Sequence, residues 1–529
     1  MAGGPCWCVR AAERAFFRGA AAPLASPAEE SALPAAYVTD LVDAFHRDVD
    51  GPAIGCGGRV LTFGHALEEV WQLARLLREL GIGRGTGLAC VTGNTPETLL
   101  VRLAAHVLGA RLTQVVIDPA THNLAHILVD CRPALVVADT EIPDTGAPRI
   151  ALESLLRSAA EQRSDPLPVM AREEDIARVT YTSGTTGRPK GVASTFAAMR
   201  VRTGWTRRHE GAEPVFVSVT SLAQRAGGRC LEHLLNGGRV EVLDAFDPPE
   251  FAAVCARLAP VTTYLSPSML YRLLDHPATA SGIPGLVSVS YGNSRILPER
   301  LREALRVYGV NFRQGYGMNE AGVISRLSPA DHAAALGGRP HLLASAGRPV
   351  PGVELSIRDE NGRDLSAGWT GEVWTRSPAM MAGYWQRPDL DTQVLRDGWL
   401  RTGDIGRRDE DGYLYLVDRI TDMIIVDGRN IYCGPVEAAL ARHPAVAQAV
   451  VVGRDSAVTG EEVHAFLLPA AGHEPSDQVA AEACRLVVDA LAEAHRPTAV
   501  HWVDQIPLAA SGKPDKQRLR AQAAGRMVL

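Results

Sequence analysis

Apolar positions at helical spacing run through residues 65–80 (HALEEVWQLARLLREL), and the run LACVTGN after them reads as a strand and turn. The alternation repeats. TPETLLVRLAAHVLGA predicts a helix, RLTQVVID a strand, HNLAHILVDC a helix and ALVVAD a strand. Such alternation implies parallel sheets covered by helices. Residues 340–420 change style. Turn pairs Pro351-Gly352, Asn361-Gly362, Asp397-Gly398 and Asp411-Gly412 separate the short runs VELSIRD, GEVWTRS and GYLYLVD, which predicts a compact β-rich unit. After Asp418 strand–helix alternation returns over about 110 residues, the size of a small α+β domain. The expected domains are therefore 1–418 and 419–529.

Composition narrows the function classes. A chain of 529 residues is too long for one compact core, and 46% hydrophobic with 22% charged residues is ordinary for a globular protein. A net charge of −6 carries no basic footprint for nucleic acid, which favours a small-molecule substrate or a protein partner. The nine cysteines are odd in number and mostly scattered through apolar stretches, the pattern of reduced buried thiols in a cytoplasmic protein. Cys6 and Cys8 are the one close pair, too few ligands for a zinc site without partners. Arg10, Arg14 and Arg18 raise the idea of a transit peptide, but Glu13, Glu29 and Glu30 interrupt the basic run, which favours a frayed amphipathic N-terminus. No stretch of about 20 apolar residues occurs, so no membrane span is expected. Gly81, Gly83, Gly85 and Gly87 do not match a dinucleotide fingerprint, and they precede a strand instead of following one.

The strongest local signal is Val179-Thr180-Tyr181-Thr182-Ser183-Gly184-Thr185-Thr186-Gly187-Arg188-Pro189-Lys190-Gly191. A β-prone run enters a stretch of hydroxyls and glycines that ends in a lysine. Such a loop aims backbone N–H groups and hydroxyl donors at one anion, and the lysine adds a point charge. It is not a Walker loop, because Gly191 follows Lys190 where that pattern needs Ser or Thr.

This stretch closely resembles the signature of the adenylate-forming superfamily, which comprises acyl- and aryl-CoA synthetases, peptide-synthetase adenylation domains and luciferases. Further resemblances follow in order. They are Gln314-Gly315-Tyr316-Gly317-Met318-Asn319-Glu320, Gly371-Glu372-Val373, Gly398-Trp399-Leu400-Arg401-Thr402-Gly403-Asp404, Asp418-Arg419 with Gly428-Arg429-Asn430-Ile431-Tyr432, and Ser511-Gly512-Lys513. The resemblance covers nearly the whole chain. It implies an α/β fold: a large N-terminal domain of two stacked αβ sheet subdomains plus a β-rich subdomain, and a small mobile C-terminal α+β domain. The active site would lie in the cleft between them.

The same resemblance implies ATP, Mg²⁺ and coenzyme A as the small molecules used, and it distributes roles. Lys513 would reach from the small domain to the carboxylate and α-phosphate oxygens, with Thr185 as a catalytic phosphate contact and Glu320 holding Mg²⁺, a hard cation that prefers oxygen. Lys516 is a nearby competitor outside the motif. Thr182, Ser183, Gly184, Thr186 and Lys190 would form the phosphate loop. Tyr316 would pack on adenine within Gly315, Gly317, Met318 and Asn319, opposite Gly292, Asn293 and Ser294. Asp404 would accept from the ribose hydroxyls, with Arg419 beside it.

Several positions depart from the family. Relatives often have a small–His–small run where this chain has Ala223-Gln224-Arg225-Ala226-Gly227, and Gly-Gly-Ala-Pro where it has Gly292-Asn293-Ser294-Arg295. Asn319 replaces a Thr before the metal-binding Glu. Gln224, Arg225, Arg295 and Gly322 are assigned to the acid pocket, where guanidiniums point to a polar or second anionic group on the substrate. A structural salt bridge or a solvated rim is the competing reading. At the hinge, Thr421 stands where relatives have Asp or Lys. Asp427 and Cys433 stand where the pantetheine thiol would approach.

The expected function is ATP-dependent adenylation of a small polar or aromatic acid, with pyrophosphate release and transfer to a thiol such as coenzyme A. Transfer to a carrier protein or an amine, activation of an oxyanion such as nitrite for diazotisation, and a nucleotide-sensing pseudoenzyme remain open. A carrier protein is expected to be a separate molecule, because about fifteen residues follow Lys513.

Overall fold

A computed structural model of the chain describes residues 33–115, 123–182, 189–204, 214–509 and 513–525. The predicted alternation is present. Helix Phe63–Glu79 starts where the Thr62 side chain accepts from the His65 N–H, and it buries Phe63, Ala66, Leu67, Val70 and Trp71. Helix Pro96–Val107 starts on Thr95, with Pro96 in the first turn. The strands Gly87–Val91, Arg111–Gln114 and Leu135–Ala138 are parallel neighbours.

Two large sheets build the N-terminal part. In the first, the strands Asn311–Met318, Leu286–Gly292, Val261–Leu265, Val215–Ser218, Val240–Val242 and Pro52–Cys56 are parallel neighbours in that order. Antiparallel strands flank them, Gly322–Leu327 beside Asn311–Met318 and Arg59–Thr62 beside Pro52–Cys56. The second sheet has seven strands, five of them parallel, with Lys190–Thr195 turned back on Ile176–Thr182. One hydrophobic cluster joins the two sheets through helices Ala36–Arg47, Phe63–Glu79, Pro96–Val107 and Arg225–Leu235. A parallel sheet needs both faces covered, and shared helices meet that need for both sheets at once.

The β-rich unit is a five-stranded sheet holding Glu354–Arg358, Thr370–Arg376, Trp399–Arg408 and Leu414–Arg419. Asp397 (φ 52°) and Gly398 (φ 77°) form the tight turn that starts the long strand, both in the left-handed region such a hairpin turn demands. Arg419 ends the last strand of this sheet, a short 3₁₀ turn covers Ile420–Asp422, and Ile424 begins another sheet. That final sheet carries Val446–Ser456 against Gly460–Pro469, with helices Cys433–Leu440 and Asp477–Ala490 packed together on its core. Among the described residues no helix is long and apolar enough to cross a membrane.

Candidate active site

Strand Asn311–Met318 carries its glycine-rich motif at its carboxyl end, next to Gly292 at the end of its parallel neighbour. Ligands of open α/β sheets bind outside such strand ends. Gly292 pairs with Gly315, and a Cβ on Gly292 would lie 2.5 Å from the Gly315 carbonyl oxygen, so the close approach requires glycine. Gly317 is constrained in the same way, since a Cβ there would lie 2.1 Å from the Gly322 carbonyl oxygen. Asn293 takes a positive φ of 72°, and its side-chain carbonyl accepts from the Tyr264 hydroxyl at 2.9 Å.

Three chain segments meet at Asp404. The Tyr316 hydroxyl donates to Asp404 Oδ2 at 2.6 Å, and Arg419 Nε donates to Oδ1 at 2.9 Å. Arg419 sits directly opposite Asp404 in the strand pairing, so sheet register sets this ion pair. Asp404 is 6% exposed, and its backbone N–H is held by the Thr402 hydroxyl at 3.1 Å. Burial and the Asp404 charge push the Tyr316 phenol well above its usual pKa, so it stays a donor. Tyr316 thus orients Asp404. Both carboxylate oxygens keep further acceptor capacity.

Glu320 is 7% exposed and accepts from the Tyr384 hydroxyl at 3.1 Å. Lys190 places its ammonium 5.5 Å from the centre of the Tyr384 ring. Among the described residues no group of three or more His, Cys, Asp or Glu is placed to hold a metal ion. A single buried carboxylate does fit Mg²⁺ that arrives on nucleotide phosphates, since that ion takes one or two carboxylates and keeps its waters. At the stretch expected to bind phosphate, Thr182 and Lys190 are paired in antiparallel strands, while Ser183, Gly184, Thr185 and Thr186 lie outside the described residues.

The tail lysine reaches this place. Leu508 and Pro514 form an antiparallel bridge, and the Ala509 N–H donates to the Lys513 carbonyl at 2.8 Å, closing the base of a loop. Lys513 lies close enough to Arg419, Asp404, Glu320 and Asp422 to be shifted by all four. Burial is the largest influence and Arg419 adds to it, so the ammonium pKa falls to about 8 against the pull of the three acids. Lys516 is committed elsewhere, in an ion pair with Glu437 at 3.0 Å inside the small domain.

The geometry matches a known class of protein. A family model of the AMP-binding enzyme matches residues 42–385, and a model of the AMP-binding enzyme C-terminal domain matches residues 435–513. The chain belongs to the AMP-binding enzyme family. It is 34% identical over 528 residues to a medium/long-chain-fatty-acid–CoA ligase, FadD8, of Mycobacterium tuberculosis, covering 92% of this chain and 90% of that protein. It is 32% identical to the fatty acid–[acyl-carrier-protein] ligase ScoC of Streptomyces coeruleorubidus over 89% of this chain and 93% of that one. Among solved structures, the amide bond synthetase McbA from Marinactinospora thermotolerans superposes with a TM-score of 0.81 at 33% identity, covering 92% of this chain and 99% of that chain. The protein is therefore an AMP-forming acid ligase, and these relatives differ in the acceptor of the acyl group.

Against that family frame, one expected pocket residue moves. Arg295 was expected in the acid pocket. Its Nη2 instead donates to the carbonyls of Leu416 (3.0 Å) and Val417 (2.5 Å), and its guanidinium lies against Gly434 of the small domain. It binds the hinge strand because strand ends leave carbonyls that a forked cation satisfies. Ser294 beside it is half-buried. Gly322 takes a positive φ of 73°, with Arg202 Nε 3.2 Å from where its Cβ would be. Asn319 is exposed and offers its carbonyl to Arg202 at 2.9 Å, and Met318 packs against the cluster that holds Tyr316. Gln224 stands at the N-cap position of helix Arg225–Leu235 without a side-chain capping bond, and Arg225 lies over the Tyr264 ring at 5.5 Å.

Sequence reasoning missed Tyr384 and Arg202. The signal for Tyr384 was the strand pair Gly383–Tyr384 against Val192–Ala193, which only the fold reveals. Cys433 is buried and its thiol donates to the Asp422 carbonyl at 2.9 Å. Burial pushes that thiol pKa far up, the state of an inert structural cysteine.

Proposed function

We propose that this enzyme adenylates a small polar or aromatic carboxylic acid with ATP, releases pyrophosphate, and passes the acyl group to a thiol such as coenzyme A. The observation that carries the reading is the closeness of Lys513 to Glu320 and Asp404 of the large domain and to Arg419 at the domain boundary. A carboxylate oxygen attacks the α-phosphorus, and the bond to the pyrophosphate oxygen breaks. Negative charge builds between two anions, and the Lys513 ammonium stands where it can hold oxygens of both. Asp404, oriented by Tyr316 and Arg419, accepts from the ribose and fixes the nucleotide. Mg²⁺, held by Glu320, would neutralise phosphate charge as pyrophosphate leaves. In the second step the thiol loses its proton to solvent, attacks the acyl carbon and displaces AMP.

The test is direct. Incubate the enzyme with ATP, Mg²⁺ and a diverse acid panel, and detect acyl-AMP by mass before and after adding coenzyme A. Acyl-AMP that forms and is then consumed by coenzyme A is expected. Consumption only by an amine or a carrier protein would move the acceptor. ATP binding with no pyrophosphate from any acid would replace the enzyme by a nucleotide sensor.

A further inference from the structure

Helix Arg225–Leu235 lies on a face of the large sheet and sends Arg225, Arg229 and Glu232 to one side, at successive helical turns. Facing them, the sheet presents Arg313 and Arg326. Arg326 pairs directly opposite Gly315, and Arg313 stands two residues before it, so all three share one face. Helix and sheet bury apolar residues where they pack, yet here four guanidiniums and the carboxylate of Glu232 share the layer.

Arg225 and Arg313 have few partners of their own among the described residues. Arg229 pairs with Glu232 at 3.0 Å and lies 5.9 Å from the Phe216 ring centre. Arg313 reaches only the Ser288 hydroxyl, at 3.4 Å. Arg225 has its contact with the Tyr264 ring, and its buried Nε has no hydrogen-bond partner. Among the described residues neither Arg225 nor Arg313 has an ion-pair partner. The cations also press on one another. Burial first, then Arg229, Arg225 and Arg313, push the Arg326 pKa down to about 10 against the pull of Glu232. Half-buried cations of one sign that crowd together are costly unless an anion joins them.

The glycines beside these arginines leave the strand surface open. Gly292 and Gly315 pair across the strands and leave a floor without side chains. Arg225 Nη2 stands 3.7 Å above the position of a Gly315 Cβ. Gly315 is adjacent to Tyr316, which holds Asp404, so this space adjoins the nucleotide residues.

We propose that the acid this enzyme activates carries a second anionic group, an oxyanion such as a carboxylate, which binds between Arg225, Arg313 and their neighbours Arg229 and Arg326. The proposal rests on the adenylation reading and names its substrate class: a short or aromatic acid with two charges, one reacting at the phosphorus and the other anchored on guanidinium. The planar fork of arginine matches an oxyanion with two acceptor oxygens.

Wild-type enzyme gives the first test. Pyrophosphate release is measured with dicarboxylic acids of graded length, aliphatic and aromatic, and with the monomethyl ester of each. Sulfo- and phosphono-carboxylic acids of the same lengths distinguish a carboxylate from another oxyanion. A dianionic acid should exceed its own monoester by about 100-fold or more in kcat/KM, because the ester leaves half-buried cations unmatched. Arg225→Met and Arg313→Met should each shrink that ratio at least about tenfold. Equal rates for diacid and monoester, or turnover of neutral monoacids alone, overturn the inference and leave adenylation standing. Release from no acid at all overturns adenylation itself.

Discussion

On the side of the cleft proposed for the nucleotide, Asp404 is met by Tyr316 and Arg419, and Glu320 by Tyr384. On the side proposed for the acid, Arg225 and Arg313 have, among the described residues, a ring and a hydroxyl as partners. The first region is balanced before any ligand arrives. ATP is the same for every relative, so its residues can be fixed in advance by the protein's own partners, and preorganised charges need not rearrange as charge develops. The second region leaves its charge unmatched, so the substrate itself must complete it. The difference separates the half of the site that sets the reaction from the half that sets the acid.

The strongest way to break the comparison is Lys513→Ala. Lys513 belongs to neither wall but is held between them, and its charge acts where two anions approach. Adenylation should fall by roughly three to four orders of magnitude, with ATP binding largely kept, as read by single-turnover acyl-AMP formation and nucleotide titration. Near-normal turnover would remove the catalytic cation from the scheme.

Asp404→Asn attacks the balanced half. It keeps the size but removes the charge that Arg419 and the Tyr316 hydroxyl both meet. The Kd for ATP should rise about 10- to 100-fold, the range for losing hydrogen bonds to a charged group. The diacid-to-monoester ratio should not follow it, because Asp404 is outside the guanidinium layer. A parallel collapse of both would show that the two halves act as one unit.

The two halves also differed in how far the sequence revealed them. The nucleotide side was readable because its residues sit in contiguous motifs, and Asp404 and Arg419 each occupy a recognisable stretch. What joins them, the strand register that sets Arg419 opposite Asp404, is a long-range property. The acid side was half readable. Gln224 and Arg225 stood out as departures, but Arg313 and Arg326 looked like ordinary strand arginines until sheet pairing brought them under one helix. Arg295 misled because nearness in sequence to Gly292 does not fix where a long side chain goes. The strand–helix alternation and the β-rich unit were legible throughout, since periodicity and turn pairs are local signals.

A pH titration sharpens the comparison with an effect of about tenfold per unit. Lys513 has a pKa lowered to about 8 and must carry its proton to act. Below about 8 the ammonium is present. As pH rises through that value it is lost, so kcat/KM for adenylation should fall on the alkaline side with a midpoint near 8. Asp422→Asn removes an acid that favours the charged form and should move the midpoint lower. Arg419→Met removes a repelling cation and should move it higher. A flat profile up to pH 9.5 would mean that the free enzyme does not hold Lys513 in this setting.

The smallest expected change comes from Tyr384→Phe. The Tyr384 hydroxyl donates to Glu320, and its ring lies beside the Lys190 ammonium. Removing the hydroxyl keeps the ring and the buried volume, so stability should change by about 1 kcal/mol or less. Glu320 keeps its charge but loses the donor that aims it, so the concentration of Mg²⁺ needed for half-maximal adenylation should rise about three- to tenfold. Saturating Mg²⁺ should restore most of the rate, because affinity is lost and not chemistry. If saturation restores nothing, Tyr384 does more than orient Glu320. The balanced half of the cleft would then have a direct contact with the reacting groups that its hydrogen bonds alone do not reveal.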